Sequence, residues 1–498
     1  MKIDPKDPPR GTVRDWLDYR ATALGNKKAY LFFDNSQPIT WRELRTSARR
    51  IAYQLTATRL QKGASVAILM PNGREAIETL FGVLYGGFRA TIINLVAGDE
   101  AISYALKHSE ATLAFVGEAQ LELFDRVRPE ILSLFTKGSN NLNINLYSLD
   151  CLDDALLMYT SGTTGKPKGV LHTHMSLLAG GWTPTIAHNL GLKDCGLCVL
   201  PIFHINGLCV TVIGTLISGG SLAIVGKFSA SKFWEQCEIG QVTWFSVVPT
   251  IISHLLNSER TLNSNTRLKI RFGRSASSAL SPDVQKSFEK RFNIPIIETM
   301  GLTETAAQIL SNPLSTELHK IGSPGKPFGN EACILTQDFK PAKINERGEI
   351  AVRGPNVMRG YFKNKDATRE SFTDDGWFRT GDLGYVDADG YYFVTGRLKE
   401  LIIKGGENIA PREIDEALYS HPDVVEAAAF AKDCEIYGQR IEAAVRLKNG
   451  SELTQDHLLF ICQKFLGSFK SPDVVHVIDD LPKGPSGKIQ RLRLAKML

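Results

Sequence analysis

Apolar side chains at Leu44, Ala48, Ile51, Ala52 and Leu55 recur at helical spacing, with Thr40 and Glu43 ahead of them in the pattern of a capping box. An unbroken apolar run, Ser65 to Met70, reads as a buried strand, and a second helical pattern follows from Arg74 to Tyr85. The stretches 90–96 (ATIINLV) and 111–117 (ATLAFVG) predict further strands, and Ala155 to Tyr159 another that ends at a loop. Strand and helix patterns alternate again across 197–225, 242–256 and 293–297. Such alternation predicts an α/β layered fold built on largely parallel sheet.

After about residue 320 the pattern changes. The segment 322–329 (GSPGKPFG) is rich in turn residues, and strand-like pieces with Gly/Asp turns follow, including 388–397 (ADGYYFVTGR). Beyond Lys399 come helical patterns at 411–420 and 456–466, with strands near 424–431, 441–447 and 474–478. A boundary at 397–399 divides the chain into residues 1–397 and 398–498. No internal repeat or low-complexity segment is visible.

Composition narrows the function classes. A chain of 498 residues is too long for one core and requires at least two domains. Its 43% hydrophobic and 22% charged residues are those of a globular enzyme. The net charge of +5 and the lack of a dense basic run argue against nucleic acid. The eight cysteines show no paired-ligand spacing; Cys195-Gly-Leu-Cys198 lacks a second pair, so zinc is not expected. Reduced thiols, an N-terminus without an apolar core and apolar runs shorter than a bilayer span predict a cytoplasmic protein without stable membrane insertion.

The densest chemistry lies at 159–170, YTSGTTGKPKGV, where three glycines, three threonines, a serine and two lysines follow the strand at 155–159. Bare backbone lets N–H groups approach an anion, and the hydroxyls and lysines add donors, which suits a polyphosphate. It is not a Walker A loop, because two residues separate Gly162 from Gly165 where that motif needs four. A flexible surface loop is the ordinary alternative.

This stretch resembles the signature of the adenylate-forming enzymes, which comprise acyl-CoA synthetases, firefly luciferases and peptide-synthetase adenylation domains. Further segments resemble motifs of that family in its order: PIFHINGL (201–208), TMGLTET (299–305), GWFRTGDLGYVDADGYYFVTGRLKELI (376–402), GGENIAPREID (405–415) and LPKGPSGKIQR (481–491). The resemblance implies a large multi-sheet N-terminal domain binding ATP and the acid, a small mobile α+β C-terminal domain carrying a catalytic lysine, and an active site between them. It also implies a two-step reaction. A carboxylate attacks the α-phosphate of ATP to give acyl-AMP and pyrophosphate, and the thiol of coenzyme A then displaces AMP.

The resemblance assigns the roles. Thr160, Ser161, Gly162, Thr163, Thr164, Gly165 and Lys166 would cradle the β- and γ-phosphates, with Lys168 nearby. Glu304 would hold Mg2+, and Thr303 would contact the α-phosphate. Asp382, at a Gly-Asp turn, would accept from the ribose hydroxyls, and Arg397 would contact sugar or phosphate. Lys488 would bridge the carboxylate and the α-phosphate; Lys399 would be the hinge, and Gly405 and Gly406 would line the pantetheine tunnel. Ser277, Ser278 and Ala279 would offer backbone to adenine, beside Met300 and Gly301. Met300 departs from the family, which usually places an aromatic there to stack on the base.

For the acid, His204 resembles the residue that closes the acyl pocket in CoA ligases, and PIFHINGL lacks the aspartate that pairs an amino-acid ammonium. The segments 273–282 (GRSASSALSP), 311–314 (SNPL) and 320–329 (KIGSPGKPFG) resemble the oxalyl-CoA synthetases of plants and fungi, yet those carry a histidine where this chain has Ala307. Arg274 could supply a positive charge, but its side-chain direction is not legible in the sequence. Oxalate or another short acid, a medium-chain acid and an aryl acid all stay open, as do a carrier-protein acceptor and a homodimer. A nucleotide-binding regulator is the non-enzyme alternative, against which Lys488 and Glu304 speak together.

Overall fold

The computed structural model describes residues 3–34, 36–130, 133–134, 144–160, 167–484 and 489–498. Among them the helix Trp41–Ala57 starts as its sequence predicts: Thr40 caps it, and the Glu43 carboxylate accepts from the Thr40 N–H and hydroxyl, both at 2.8 Å. Such a cap contributes about 1 kcal/mol. Leu44, Ala48, Ile51 and Leu55 are buried along one face. That face packs on the helix Arg74–Gly86, where Gly82 lies so close to Ile51 that a Cβ would stand 2.5 Å from its side chain.

Parallel strands form the centre of the first sheet, with Ser65–Leu69 between Arg89–Ile92 and Leu113–Val116, and Asp154–Thr160 beside Arg89–Ile92. The strand at 89–92 is shorter than the stretch 90–96, because the Asn94 side chain accepts from the Val96 N–H and turns the chain. Lys168–Thr173 then pairs antiparallel to Asp154–Thr160, placing Thr160 opposite Lys168. The loop expected over 159–170 is therefore narrower: Thr160 and Lys168 to Val170 belong to strands.

A second sheet runs parallel through Ser221–Ile224, Cys195–Cys198, Trp244–Val247, Phe272–Ser275 and Ile296–Leu302. Ala307–Ser311 continues the sheet antiparallel after the tight turn Thr303–Thr305, and Lys326–Pro327 pairs beyond it. The turn brings Gly301 so near Ala307 that a Cβ would sit 1.7 Å from the Ala307 carbonyl oxygen. Ala306 and Ala307 take φ of 47° and 87°, a region that costs non-glycine residues about 1 kcal/mol or more.

After the change of pattern near residue 320 the strands pair mostly antiparallel, as an α+β C-terminal part requires, with Val474–Val477 the parallel exception beside Gly438–Leu447. Glu331–Leu335, Gly348–Arg353, Phe378–Val386 and Tyr392–Arg397 make one sheet. From Ile402 onward a further sheet forms around Val424–Cys434 and Gly438–Leu447, with helices Pro411–Tyr419 and Gln455–Lys470 closing an apolar cluster of its own. Among the described residues no helix is long and apolar enough to cross a membrane.

Substituting Gly301→Ala forces the turn at 303–305 away from its strand. We expect a loss of about 1–3 kcal/mol in urea unfolding, as for overpacked cores; an unchanged midpoint contradicts this packing.

Candidate active site

A cavity opens where the carboxyl ends of the parallel strands of the second sheet meet the C-terminal sheet and helices, the place where open α/β sheets bind ligands. From the N-terminal side Ser277, Ser278, Ala279, Met300, Gly301, Asp382 and Arg397 line it; from the C-terminal side come Arg412, Asp415, Glu416, Ile489 and Arg491. Ser277 holds a φ of 74°, so the segment after the strand Phe272–Ser275 turns sharply and presents backbone to the opening.

Asp382 does not occupy a turn. It lies in the strand Phe378–Val386 just after Gly381, whose φ of 74° lets the strand bulge against its neighbour. The bulge aims the buried Asp382 carboxylate at Arg397, directly opposite in register, with Arg397 Nε 2.5 Å from Oδ1. The Asp382 carboxylate holds the Arg397 guanidinium above its ordinary pKa. Arg397 Nη2 also reaches Oδ2 at 3.4 Å, and each carboxylate oxygen of this cavity-lining residue has a further lone pair with which to accept from a hydroxyl group.

Glu304 sits on the turn Thr303–Thr305, its Oε1 accepting from the Tyr361 hydroxyl at 2.9 Å. The Lys168 ammonium stands 4.6 Å from the centroid of the Tyr361 ring, so a cation and a carboxylate flank one aromatic side chain. The Thr303 carbonyl accepts from His172 Nε2 at 2.7 Å, and His172 Nδ1 accepts from the Ser176 hydroxyl at 3.0 Å. Burial pushes the His172 pKa down to about 4, which keeps the ring neutral in this relay. Thr160 ends its strand with its hydroxyl 3.5 Å from the Lys168 carbonyl.

Other expected residues stand apart from the cavity lining. His204 precedes the π-helix Asn206–Ile213 with its ring against Phe203, 4.8 Å between centroids. Lys399 is exposed on the short helix Leu398–Glu400. Gly405 and Gly406, with φ of 59° and 86°, make the turn between Ile402–Lys404 and Glu407–Ile409. Ser161, Gly162, Thr163, Thr164, Gly165, Lys166 and Lys488 lie outside the described residues.

Sequence reasoning missed several cavity residues. Glu298 is buried beneath the opening, accepting from the Leu280 N–H at 3.2 Å, and burial raises its pKa. Arg491 Nη1 donates to Asp415 at 3.1 Å and to the Ala429 carbonyl at 2.8 Å, and its Nε reaches Glu400 at 3.4 Å. It thus ties the chain just after Lys488 to the helix Pro411–Tyr419 and to the turn carrying Lys399. The alternation of apolar and polar residues gave no signal for these, because each acts across elements distant in sequence.

Comparison with known proteins agrees with this geometry. The family model of AMP-binding enzymes matches residues 17–362, and that of the AMP-binding enzyme C-terminal domain matches 413–488. A sulfoacetate–CoA ligase of Cupriavidus necator is 44% identical over 97% of each chain. An oxalate–CoA ligase of Arabidopsis thaliana is 34% identical over 88% of this chain and 89% of its own. The o-succinylbenzoate CoA synthetase of Bacillus subtilis, solved with the acyl-adenylate intermediate OSB-AMP, superposes with a TM-score of 0.87 at 29% identity, covering 98% of each chain. The fold is that of adenylate-forming enzymes, with a large N-terminal and a small C-terminal part. With its family model matched across most of its length and a relative of 44% identity spanning nearly all of it, the chain belongs to the AMP-binding enzyme family.

Proposed function

We infer that the protein is an AMP-forming acid:CoA ligase whose substrate is a short carboxylic acid bearing a second anionic group. One observation carries the reading: Ser277 to Ala279, the Asp382–Arg397 pair and the residues beside Lys488 converge on one cavity. In this reading adenosine lies against Ser277, Ser278, Ala279, Met300 and Gly301, the polarizable Met300 thioether covering the base where a ring usually would. Asp382 accepts from the ribose hydroxyls, and Arg397, held by Asp382, faces sugar or phosphate. The triphosphate extends toward Thr160, the 161–166 segment and Lys168.

Joining a carboxylate to a triphosphate brings two anions together, so the reaction needs positive charge at the phosphates. Glu304 is the residue that would hold Mg2+, which supplies charge neutralisation on the phosphates. The donors fit: a hard cation that keeps several waters needs one protein carboxylate beside phosphate oxygens, and Glu304 is oriented by Tyr361. Ile489 and Arg491 line the cavity, and Lys488, which precedes Ile489 in the sequence, is the residue assigned to bridge carboxylate and α-phosphate. His204, two residues before Asn206 and behind the cavity lining, is assigned to the acid side, and Thr303 to the α-phosphate.

The chain divides near 397–399, with Lys399 as hinge. The Gly405–Gly406 turn stands away from the cavity lining, so its service as pantetheine tunnel requires the C-terminal part to rotate after adenylation.

The substrate class rests on the relatives. Sulfoacetate, oxalate and 2-succinylbenzoate, named for three of the CoA ligases, each carry a second acidic group. Pyrophosphate exchange measured with sulfoacetate, oxalate, propionate, octanoate and benzoate tests the reading. We expect exchange with a short dianionic acid and little with octanoate or benzoate; the reverse order rejects the substrate class.

Two substitutions separate the half-reactions. Lys488→Ala should lower adenylation by about 10²–10³-fold while leaving thioester formation from supplied acyl-AMP within a few-fold. Gly406→Trp should do the opposite by filling the thiol path. Equal losses in both halves for either variant refute the division of labour.

A further inference from the structure

A guanidinium buried without a counter-charge is costly, and proteins normally pair it. Arg274 is 1% exposed in the strand Phe272–Ser275, and its hydrogen-bond partners are all neutral. Asn206 Oδ1 lies 2.8 Å and Ser246 Oγ 3.2 Å from Nη1, and Gln308 Oε1 lies 3.3 Å from Nε. Among the described residues no carboxylate reaches ion-pair distance, and Nη2 forms no hydrogen bond to any of them. Other buried arginines are compensated differently: Arg89 pairs with Asp154 at 3.4 Å, and Arg20 donates to main-chain carbonyls of Leu216 and Ile217. Burial brings the Arg274 pKa down to about 9, so the group still carries its charge at neutral pH.

Its position gives that charge a use. Asn206, the first residue of the π-helix, accepts from Arg274 and turns its Nδ2 to the Ser277 hydroxyl at 3.4 Å. Ser277 lines the cavity, so Arg274 stands two hydrogen bonds behind the cavity wall, on the side of His204. Three elements fix it there: Ser246 is its register partner on the adjacent strand, Gln308 lies on the antiparallel strand Ala307–Ser311, and Asn206 comes from the π-helix, a distortion found mostly at functional sites. Ser277 lines the cavity, while Asn206, Ser246, Arg274 and Gln308 are buried behind it and held together by hydrogen bonds, so any group that reaches Arg274 has to displace one of these neutral partners.

We propose that Arg274 is the specificity-determining residue of the acid site, supplying the counter-charge for the second anionic group of the substrate. The anion, a sulfonate or a carboxylate, replaces the Asn206 carboxamide oxygen at Nη1 and engages Nη2 with a second oxygen, in the two-point geometry a guanidinium offers to oxyanions. Asn206 swings toward Ser277 to admit it. The reacting carboxylate then remains at the cavity edge, facing the α-phosphate. This inference rests on the CoA-ligase reading and adds to it the residue that selects the acid.

The test compares pyrophosphate exchange on sulfoacetate and oxalate with that on propionate and acetate, monoanions of about the same size, in the full-length wild type, Arg274→Met and Asn206→Asp. Binding of AMP by calorimetry reports whether each variant keeps a folded nucleotide site. Arg274→Met should lower kcat/KM on the dianions on the order of 10²-fold, chiefly through KM, with propionate and AMP binding nearly unchanged. Asn206→Asp keeps the arginine but gives it an internal carboxylate, so it should lose the dianions equally while retaining stability. Equal losses on dianions and monoanions, or an Asn206→Asp enzyme that still prefers dianions, overturn the assignment and leave the ligase reading standing. A wild type that prefers propionate to every dianion rejects the substrate class itself, and this inference with it.

Discussion

Two negatively charged reactants have to meet in one cavity, and the rest of the molecule is arranged around that repulsion. Positive charge and hydrogen-bond donors must be held at both ends of the encounter, one set for the phosphates and one for the acid. In the proposed reading the fold supplies the first through strand ends that converge on the cavity from the N-terminal side. Arg397 is a cation held by Asp382 across a bulged strand. Glu304, Tyr361 and Lys168 form a second fixed group on the turn and strand beside it.

The acid end proposed above follows the opposite principle. Arg274 has neutral partners, so its charge is available to a ligand, whereas Arg397 is already engaged. A site that leaves a cation uncompensated spends stability on selectivity, since an acid without a second anion leaves the guanidinium as poorly satisfied as before. In this account the nucleotide side serves any member of the family, and the region between the π-helix and the strand Phe272–Ser275 distinguishes one acid from another.

Much of this was legible in the sequence wherever the determinant is local. Thr40 and Glu43 announce their helix because a capping box spans four adjacent residues, and the strand at 65–69 declares itself by an unbroken apolar run. The cavity gathers the expected Ser277, Ser278, Ala279, Met300, Gly301, Asp382 and Arg397 because each belongs to a contiguous motif. What depends on pairing was not legible. Lys168 reads as loop and lies in a strand, since only the antiparallel partner reveals the ladder; Asp382 reads as a turn residue and follows a bulge. The direction of Arg274 and the reach of Arg491 follow from elements far apart in the chain, which alternation alone cannot bring together.

The claim beneath all the assigned roles is that the acid is activated as a mixed anhydride with AMP in the cavity between the two parts of the chain. Following oxygen from an 18O-labelled carboxylate substrate through a full turnover with ATP and coenzyme A tests it directly. Attack of the carboxylate on the α-phosphate leaves a substrate oxygen on phosphorus, so the label is predicted to appear in AMP and to be absent from pyrophosphate. Label in inorganic phosphate, or thioester formation with ADP in place of AMP, contradicts the account.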